Sequence, residues 1–454
     1  MRKKKVMAEA ATGEFAAFVG IDWGDREHRW ALQPAGSQKR ETGKLAQTPE
    51  AIEEWAAGLA ARFGEARVAV ALEQSRGALV CALCRYQHLT VYPIPPAASA
   101  GFRAFAAPSG SKNDSQDAGM LLDMLLWHGE KFRALRPAEE PMRKLQGLVQ
   151  FRRQLVDQKT AATNQLTAHL KLCFPQALEW FDETGSPLMT AFLRRWPTLP
   201  QLQAEAPPTV LAFLHAHNCR SAARNQMRLE QFASARPLTT DAAVIDPAVL
   251  MIRTLLQVIE NLRQGIGDMD RAIDQLWESH PDRGIFTSFP AAGPVLAPRL
   301  SAAFGSDRSR FSSASEVQTF SGIAPVVSQS GQSSWIHFRW SCPKFLRQTF
   351  HEYAGVSIQF SEWARGFYDR QRSKGKGHHA AVRSLAFKWI RILFACWRDR
   401  VPYNEQRHGH NVTARCALLS NTRPDRTAAT QSQKPVDFQF KSIAGFSKFS
   451  GLTS

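Results

Sequence analysis

Two short apolar segments that each end on an acidic residue constrain the fold of this chain more than any other feature. The first lies in residues 14–24 and ends on Asp22, and the second runs from Arg67 to Glu73. Both are rich in Val, Ile and Ala, as buried strands of a parallel sheet are. A helical pattern from Pro49 to Phe63 separates them, as in a strand–helix–strand unit. We therefore predict an α/β domain in which Asp22 and Glu73 lie at the same edge of the sheet.

The elements around these two segments extend the same domain. Residues 29–33 and 44–47 are predicted to be antiparallel neighbours of the first strand, and 89–94 a further buried strand after a helix over 77–88. A last helix begins at Asn113 or Asp114, because a short acceptor side chain precedes apolar residues at helical spacing.

Acidic residues also occupy the first turn of that last helix. Asp114 and Asp117 are three residues apart and therefore share one face. Helix starts and strand ends meet at one sheet edge, so we expect Asp22, Glu73, Asp114 and Asp117 to converge. Asp25 and Glu27 are interpreted as loop charges. For Asp114 and Asp117 alone, a helix cap with a solvated acid remains the alternative.

Four converging carboxylates repel one another unless a cation lies between them. Two Mg²⁺ ions roughly 4 Å apart would provide that charge and would suit the cleavage of a phosphodiester. The arrangement expected here is that of a ribonuclease H-like domain.

The middle of the chain has a different pattern. Residues 137–174 and 247–279 are predicted to be long amphipathic helices, and 176–240 a set of short helices with loops. The long helices suit either a coiled-coil hairpin, for dimerisation or for spacing two domains, or two core helices of one bundle.

The expected domains are defined by these changes of pattern. They are a flexible basic N-terminus, an α/β catalytic domain, a helical coiled-coil region, a mostly α C-terminal domain and a flexible tail, over residues 1–13, 14–136, 137–280, 281–403 and 404–454.

Positive charge is concentrated in the C-terminal domain. The whole chain has 57 Lys and Arg against 40 Asp and Glu, a net charge of +17. A polyanion such as nucleic acid is therefore the expected partner. Aromatic residues interleave with the cations, although a solvated basic face over an aromatic core is the alternative. The predicted contacts to nucleic acid are Arg339, Lys344, Arg347, Arg370, Arg372, Lys374, Lys376 and Arg383.

No membrane partner is expected. The sequence has no apolar run of about 18 residues, and its basic N-terminus is not followed by an apolar segment as in a secretion signal. A cytoplasmic protein is the prediction.

Four serines lie near Gly331, before an alternating segment from Trp335 to Trp340 that we predict to be a strand. They are Ser328, Ser330, Ser333 and Ser334. A serine in an exposed loop attacks a phosphate only if neighbouring groups stabilise the developing charge. An ordinary Ser/Gly turn is the alternative.

Taken together, these motifs resemble the DEDD insertion-sequence transposases related to the Piv invertase, which are bridge-RNA-guided serine recombinases. The resemblance covers residues 15–403. It is carried by Gly20-Ile-Asp-Trp-Gly, Ala71-Leu-Glu, Lys112-Asn-Asp-Ser-Gln-Asp-Ala, Phe289-Pro-Ala-Ala-Gly-Pro, Ser321-Gly-Ile-Ala-Pro, Gln329-Ser-Gly and Trp340-Ser-Cys-Pro-Lys-Phe-Leu-Arg-Gln-Thr-Phe.

The resemblance implies a RuvC-like N-terminal domain and a C-terminal transposase domain. It implies that Asp22, Glu73, Asp114 and Asp117 carry Mg²⁺, and that Ser330 becomes covalently joined to a DNA end. Gln329 departs from the paired Ser-Ser-Gly of many relatives. The family further implies a structured guide RNA that pairs with donor and target DNA. It also implies a homo-oligomer, a dimer or a tetramer, in which the acids of one protomer meet the serine of another.

The function predicted from the sequence is therefore that of a site-specific DNA recombinase of an insertion sequence. Two alternatives remain. One is a metal-dependent nuclease of the Holliday-junction-resolvase kind, in which Ser330 is structural. The other is a non-catalytic scaffold that binds nucleic acid.

Overall fold

The computed structural model describes residues 14–64, 66–106, 114–331 and 333–406, without the side chains of residues 106, 114 and 115. The expected flexible N-terminus, residues 1–13, and the part of the expected tail after residue 406 lie outside these ranges.

A five-stranded sheet organises the N-terminal part. Its strands are β1 Phe15–Asp22, β2 Glu27–Pro34, β3 Glu41–Ala46, β4 Arg67–Leu72 and β5 Leu89–Pro93. The spatial order is β3-β2-β1-β4-β5. The first three strands are antiparallel, and β4 and β5 continue parallel to β1. The predicted α/β N-terminal part is confirmed, with β3 next to β2 rather than to β1.

Helices cover both faces of this sheet. They are α1 Pro49–Phe63, α2 Ala78–Leu83, α3 Pro96–Ala106 and α4 Asp114–His128. The side chains of α1 and α2 pack on one face, and those of α3 and α4 on the other. Helix α2 is shorter than the predicted 77–88, and α3 was not predicted. Burial on both faces explains the continuous apolar runs of β1 and β4.

Two long antiparallel helices form the axis of the middle part, which begins after a short 3-10 helix, Gly129–Lys131. The α-helices here are α5 Glu140–Cys173, α6 Ala177–Trp180, α7 Pro187–Arg195, α8 Leu199–Gln203, α9 Pro207–Ala216, α10 Ala222–Ser234 and α11 Ala242–Glu278. The predicted short helices between α5 and α11 are confirmed. The predicted start of α11 at Pro247 was wrong, because Asp241 accepts a hydrogen bond from Ala243 N–H and caps the helix earlier. Pro247 therefore lies inside the helix, where it has no N–H to donate to the Ala243 carbonyl.

Each end of the α5–α11 pair belongs to a different hydrophobic core. Val149 and Ile273 lie in the C-terminal core, whereas Leu166 and Ile252 lie in a middle core completed by the short helices. The pair therefore joins two cores within one chain.

Helix α11 is the one described helix that is long and apolar enough to cross a membrane by length and composition alone. The core helix of a soluble protein passes the same test, and in α11 the side chains of Ile252, Leu255, Leu256 and Ile259 are buried in the middle core.

The C-terminal part is mostly helical, as predicted. Its elements are α12 Arg283–Thr287, α13 Leu296–Phe304, α14 Ala314–Phe320, β6 Val326–Ser330, β7 Ser333–His337, α15 Lys344–Phe360, α16 Glu362–Ser373 and α17 His378–Asp399. Trp389 and Trp397 of α17 are fully buried at its centre. Their indole N–H groups donate to Ser357 Oγ and to the Gly305 carbonyl, so the bulky rings carry no unpaired donor into the core.

Candidate active site and nucleic-acid interface

The parallel register of β1 and β4 places two predicted acids side by side. Ile21 lies opposite Leu72 in this register, so the next residue of each segment, Asp22 and Glu73, stands at the same edge of the sheet. Both side chains line one cavity there.

A close contact between β1 and α4 brings Asp117 to the same cavity. Gly20 lies against the backbone of α4, where a Cβ atom would be 2.2 Å from the Ala118 carbonyl oxygen and 2.4 Å from the Leu122 nitrogen. Only a residue without a side chain permits this approach. Asp117 is 7% exposed and also lines the cavity.

The cavity has a volume of about 250 Å³. Its lining residues are Asp22, Trp23, Gly24, Glu27, Arg29, Glu73, Arg103 and Asp117. Arg103, from α3, lies between two of the acids: its Nε donates to Asp117 Oδ1 at 3.0 Å, and its Nη2 is 3.9 Å from Glu73 Oε1. The positive charge of Arg103 thus compensates two of the three carboxylates in the cavity, those of Glu73 and Asp117.

The interpretation of Glu27 as a loop charge was wrong. Glu27 begins β2 and forms ion pairs with Arg29, at 3.3 Å, and with Lys44, at 3.1 Å. The antiparallel register of β1 and β2 sets Arg29 opposite Asp22, so this wall of the cavity carries both signs of charge.

The donor chemistry of the cavity suits a hard divalent cation, since the three acids offer only carboxylate oxygens. Within the described residues, no three Asp, Glu, His or Cys side chains form a group that could hold a metal ion as they stand. Arg103 occupies the position between Glu73 and Asp117. Asp114 is the first residue of α4, one turn before Asp117, and its side chain lies outside the described part.

The predicted serine loop is an antiparallel hairpin instead. Ser330 ends β6 and pairs with Ser333 at the start of β7, with Gly331 at φ +57° in the turn. The second strand ends at His337, not at Trp340 as predicted. Ser330 is exposed, and the hairpin also exposes large apolar side chains at Trp335 and Ile336.

The other serines of the hairpin have different surroundings. Ser328 Oγ lies 2.9 Å from His337 Nε2 across the two strands, and His337 Nδ1 is held by the Phe338 carbonyl at 2.8 Å. Ser333 and Ser334 are exposed.

The eight predicted nucleic-acid contacts lie on α15, α16, α17 and their connections. Lys344, Arg370, Arg372, Lys374 and Lys376 are exposed, whereas Arg339, Arg347 and Arg383 are half-buried. The ion pairs between described residues use other arginines and lysines. Helix α16 continues to Ser373 and α17 begins at His378, so Arg370 and Arg372 lie on α16 and Lys374 and Lys376 in the short connection.

Sequence reasoning missed Arg103 and Trp23. Arg103 lies on the unpredicted helix α3, whose start, Pro95-Pro-Ala-Ala-Ser, resembles a loop. The two phenylalanines near Arg103, Phe102 and Phe105, could have indicated an ordered segment there. Trp23 directly follows Asp22, is 45% exposed and lines the cavity.

Comparison with known proteins gives two family matches. Residues 19–175 match a model of IS110-type DEDD transposases, and residues 283–369 match a transposase model of the IS116/IS110/IS902 family. The first match contains the acidic cavity, and the second contains the serine hairpin.

Several full-length relatives are similar over most of the chain. The mini-circle protein of IS117 from Streptomyces coelicolor is 28% identical over 86% of this chain and 96% of its own length. The 42 kDa protein of insertion element IS900 from Mycobacterium paratuberculosis is 27% identical over 85% and 97%. A pilin gene-inverting protein from Moraxella bovis is 28% identical over 33% of this chain and 48% of its own length.

Proposed function

We propose that this chain, which belongs to the IS110 family of transposases, is a site-specific DNA recombinase that acts by metal-assisted transesterification with a serine nucleophile. The observation that carries the proposal is the meeting of Asp22, Glu73 and Asp117 in one cavity, from positions far apart in the sequence.

In this proposal the acidic cavity is the metal site of a RuvC-like domain. Asp22, Glu73 and Asp117 would hold Mg²⁺, with Asp114 from the same helix start. The order of three antiparallel strands followed by two parallel ones supports the RuvC-like assignment. A bound Mg²⁺ supplies Lewis-acid stabilisation of the charge that develops on phosphate oxygens.

Ser330 would be the nucleophile. Its Oγ forms a bond to phosphorus, and the bond between that phosphorus and a deoxyribose oxygen breaks. The serine proton leaves to water, and the released sugar oxygen takes up a proton. Exposure at the tip of a hairpin supports this role, because the oxygen is accessible to a bulky phosphodiester.

The cavity lining supports an oligomeric active site. Among the described residues, those that line the cavity all lie between Asp22 and Asp117, so the serine hairpin does not contribute to it. A dimer or tetramer in which the cavity of one protomer receives Ser330 of another would complete the site.

Guidance by a structured RNA, and action on donor and target DNA in the cytoplasm, are further parts of the proposal. They are supported by the family and by the exposed basic residues of α16 and the connection to α17. Ribonuclease treatment of the purified full chain should then abolish sequence-directed cutting while non-specific DNA binding persists.

The deciding experiment traps the covalent intermediate. The full chain is incubated with Mg²⁺, DNA that spans the ends of its element and RNA transcribed from the flanks, and is then denatured in detergent. Wild-type protein and the Ser328→Ala and Ser333→Ala variants should give a protein–DNA adduct, whereas Ser330→Ala should give none.

Two results would overturn the proposal. Full strand cleavage by Ser330→Ala would indicate a metal-dependent nuclease without a covalent step. An Asp22→Asn variant that keeps every activity of the wild type would indicate a binding scaffold.

A further inference from the structure

Two histidines and two arginines meet at the base of the serine hairpin. Arg347 and His351 lie one turn apart on α15, and His379 and Arg383 one turn apart on α17. The imidazole rings of His351 and His379 are 5.7 Å apart. The Arg383 guanidinium stacks 3.8 Å above the ring of Phe338, the residue that follows β7. We refer to these four residues as the cationic cluster.

The groups that face His351 are cationic or neutral. From α17 they are His378, His379 and Arg383. From α16, Tyr368 contacts His378: its hydroxyl is hydrogen-bonded to Nδ1 and its ring packs edge-on against the imidazole.

The acid next to His351 is engaged elsewhere. Glu352 accepts from Arg153 and from Arg299, both at 2.6 Å. The charged group acting on Arg383 is a second arginine, Arg347. Two half-buried arginines and a histidine pair thus lie together, and no carboxylate of the described residues acts on His351 or Arg383.

Such a cluster stores unfavourable electrostatic energy unless an anion binds to it. Arg347 Nη1 contacts the Arg339 carbonyl at 3.4 Å, and Arg383 is held by Phe338, so both guanidinium groups are positioned in advance. A planar guanidinium group held in place suits the bidentate recognition of a phosphate.

We propose that the cationic cluster binds one backbone phosphate of the DNA strand that Ser330 attacks. This inference rests on the proposed function and adds a specific site and ligand to it.

The position of the cluster limits how far from Ser330 the bound phosphate would lie. From Ser333 to Phe338 the chain extends at most about 17 Å, at roughly 3.3 Å per residue. Phosphates along one strand advance about 3.4 Å each along the axis of a duplex. The bound phosphate therefore lies within about five nucleotides of the one at Ser330, and the cluster holds the strand in place without being the catalytic group.

Phosphate binding at this cluster is coupled to a proton. Burial and the neighbouring His379 and Arg383 lower the pKa of His351 below its ordinary value of 6.5, so the ring is neutral in the free protein at neutral pH. A phosphate anion favours the charged ring and raises that pKa again. DNA binding should therefore take up a proton, and affinity should increase as the pH falls from 8 to 6.

The test measures binding of a fluorescein-labelled 30-base-pair duplex to the full chain at pH 6 and pH 8, at constant ionic strength. Wild-type affinity should increase about fivefold at the lower pH, and His351→Gln should lose most of that increase. Arg383→Gln should weaken binding about tenfold and reduce the slope of log affinity against log salt by about 0.9, the value for one phosphate. Arg383→Lys should recover part of the affinity.

Matched control variants come from the middle part of the chain. His215→Gln and Arg224→Gln remove a histidine and an arginine that lie outside the cluster, and both should bind as wild type at both pH values. Unchanged urea midpoints for all variants would show that the fold is intact.

Three results would overturn the inference. The inference is refuted if both His351→Gln and Arg383→Gln bind DNA with the affinity and pH dependence of the wild type. If the Ser330 adduct still forms in that case, the proposed function is unaffected. Loss of affinity for an RNA hairpin but not for DNA would assign the cluster to RNA. A wild-type chain that neither binds the duplex nor forms the adduct would refute both proposals together.

Discussion

Replacement of Gly20 by alanine tests whether the contact between β1 and α4 builds the acidic cavity. The new Cβ would lie 2.2 Å from the Ala118 carbonyl oxygen, and real Cβ contacts are essentially never under 3.0 Å. Strand and helix must therefore separate by about 0.8 Å, and the obstructing atoms are backbone, which cannot rotate away. Overpacking of this kind costs about 1–3 kcal/mol of unfolding free energy. Displacement of catalytic groups by about 1 Å can lower a rate about 100-fold.

The assay compares urea unfolding and DNA cleavage of Gly20→Ala with those of Gly119→Ala. Gly119 lies on the same helix α4, but its Cβ would meet nothing within 4 Å. Alanine at 119 should therefore stabilise the protein by about 0.5–1 kcal/mol and leave cleavage unchanged. Wild-type stability and cleavage in Gly20→Ala would show that the helix does not approach the strand so closely, and the argument that places Asp117 would be refuted.

Three further predictions concern the charged groups of the fold. Arg103→Gln should tighten Mn²⁺ binding severalfold, because the guanidinium competes for Glu73 and Asp117; weaker binding, measured by titration calorimetry, would contradict this. Glu352→Gln should lower the unfolding free energy by roughly 3 kcal/mol, because it leaves Arg299, whose side chain is 4% exposed, without its carboxylate. Glu140→Gln, which breaks an exposed pair with Lys144, is its control, and equal urea midpoints for the two variants would refute the prediction. Stability should also fall as the pH drops below 6.5, because burial lowers the pKa of His28, and its protonation removes the acceptor for the Gly24 N–H. In His28→Asn this loss between pH 7.5 and 5.5 should shrink, and an unchanged loss would exclude His28 as its source.

The sequence predicts the sheet well because its signals are local. Runs such as Val68 to Leu72 are apolar throughout, and they are buried on both faces as that pattern requires. The start of α11 was predicted wrongly because Pro247 was interpreted as the first residue of the helix. The side chain of Asp241, six residues before Pro247, provides the cap, and Pro247 is tolerated inside the helix.

The candidate site was less predictable, because it depends on contacts between elements. The positions of Asp22 and Glu73 were predicted from the ends of their strands, because neighbouring parallel strands end at the same edge of the sheet. Arg103 could not be placed in this way, because its helix has few periodic apolar residues, and its role follows only from the packing of α3 beside α4. The second strand of the hairpin was predicted from Trp335 onward, but the first was missed, although the β-branched pair Val326-Val327 precedes the turn at Gly331.

The central claim, that Asp22, Glu73 and Asp117 form one divalent-cation site, is tested most directly by titrating the full chain with Mn²⁺ and following free Mn²⁺ by electron paramagnetic resonance. Saturable binding should be present in the wild type, in Ser330→Ala and in Glu53→Gln, which removes an exposed acid of α1. It should be lost in Asp22→Asn and in Asp117→Asn. Equal Mn²⁺ binding by all five proteins would contradict the claim.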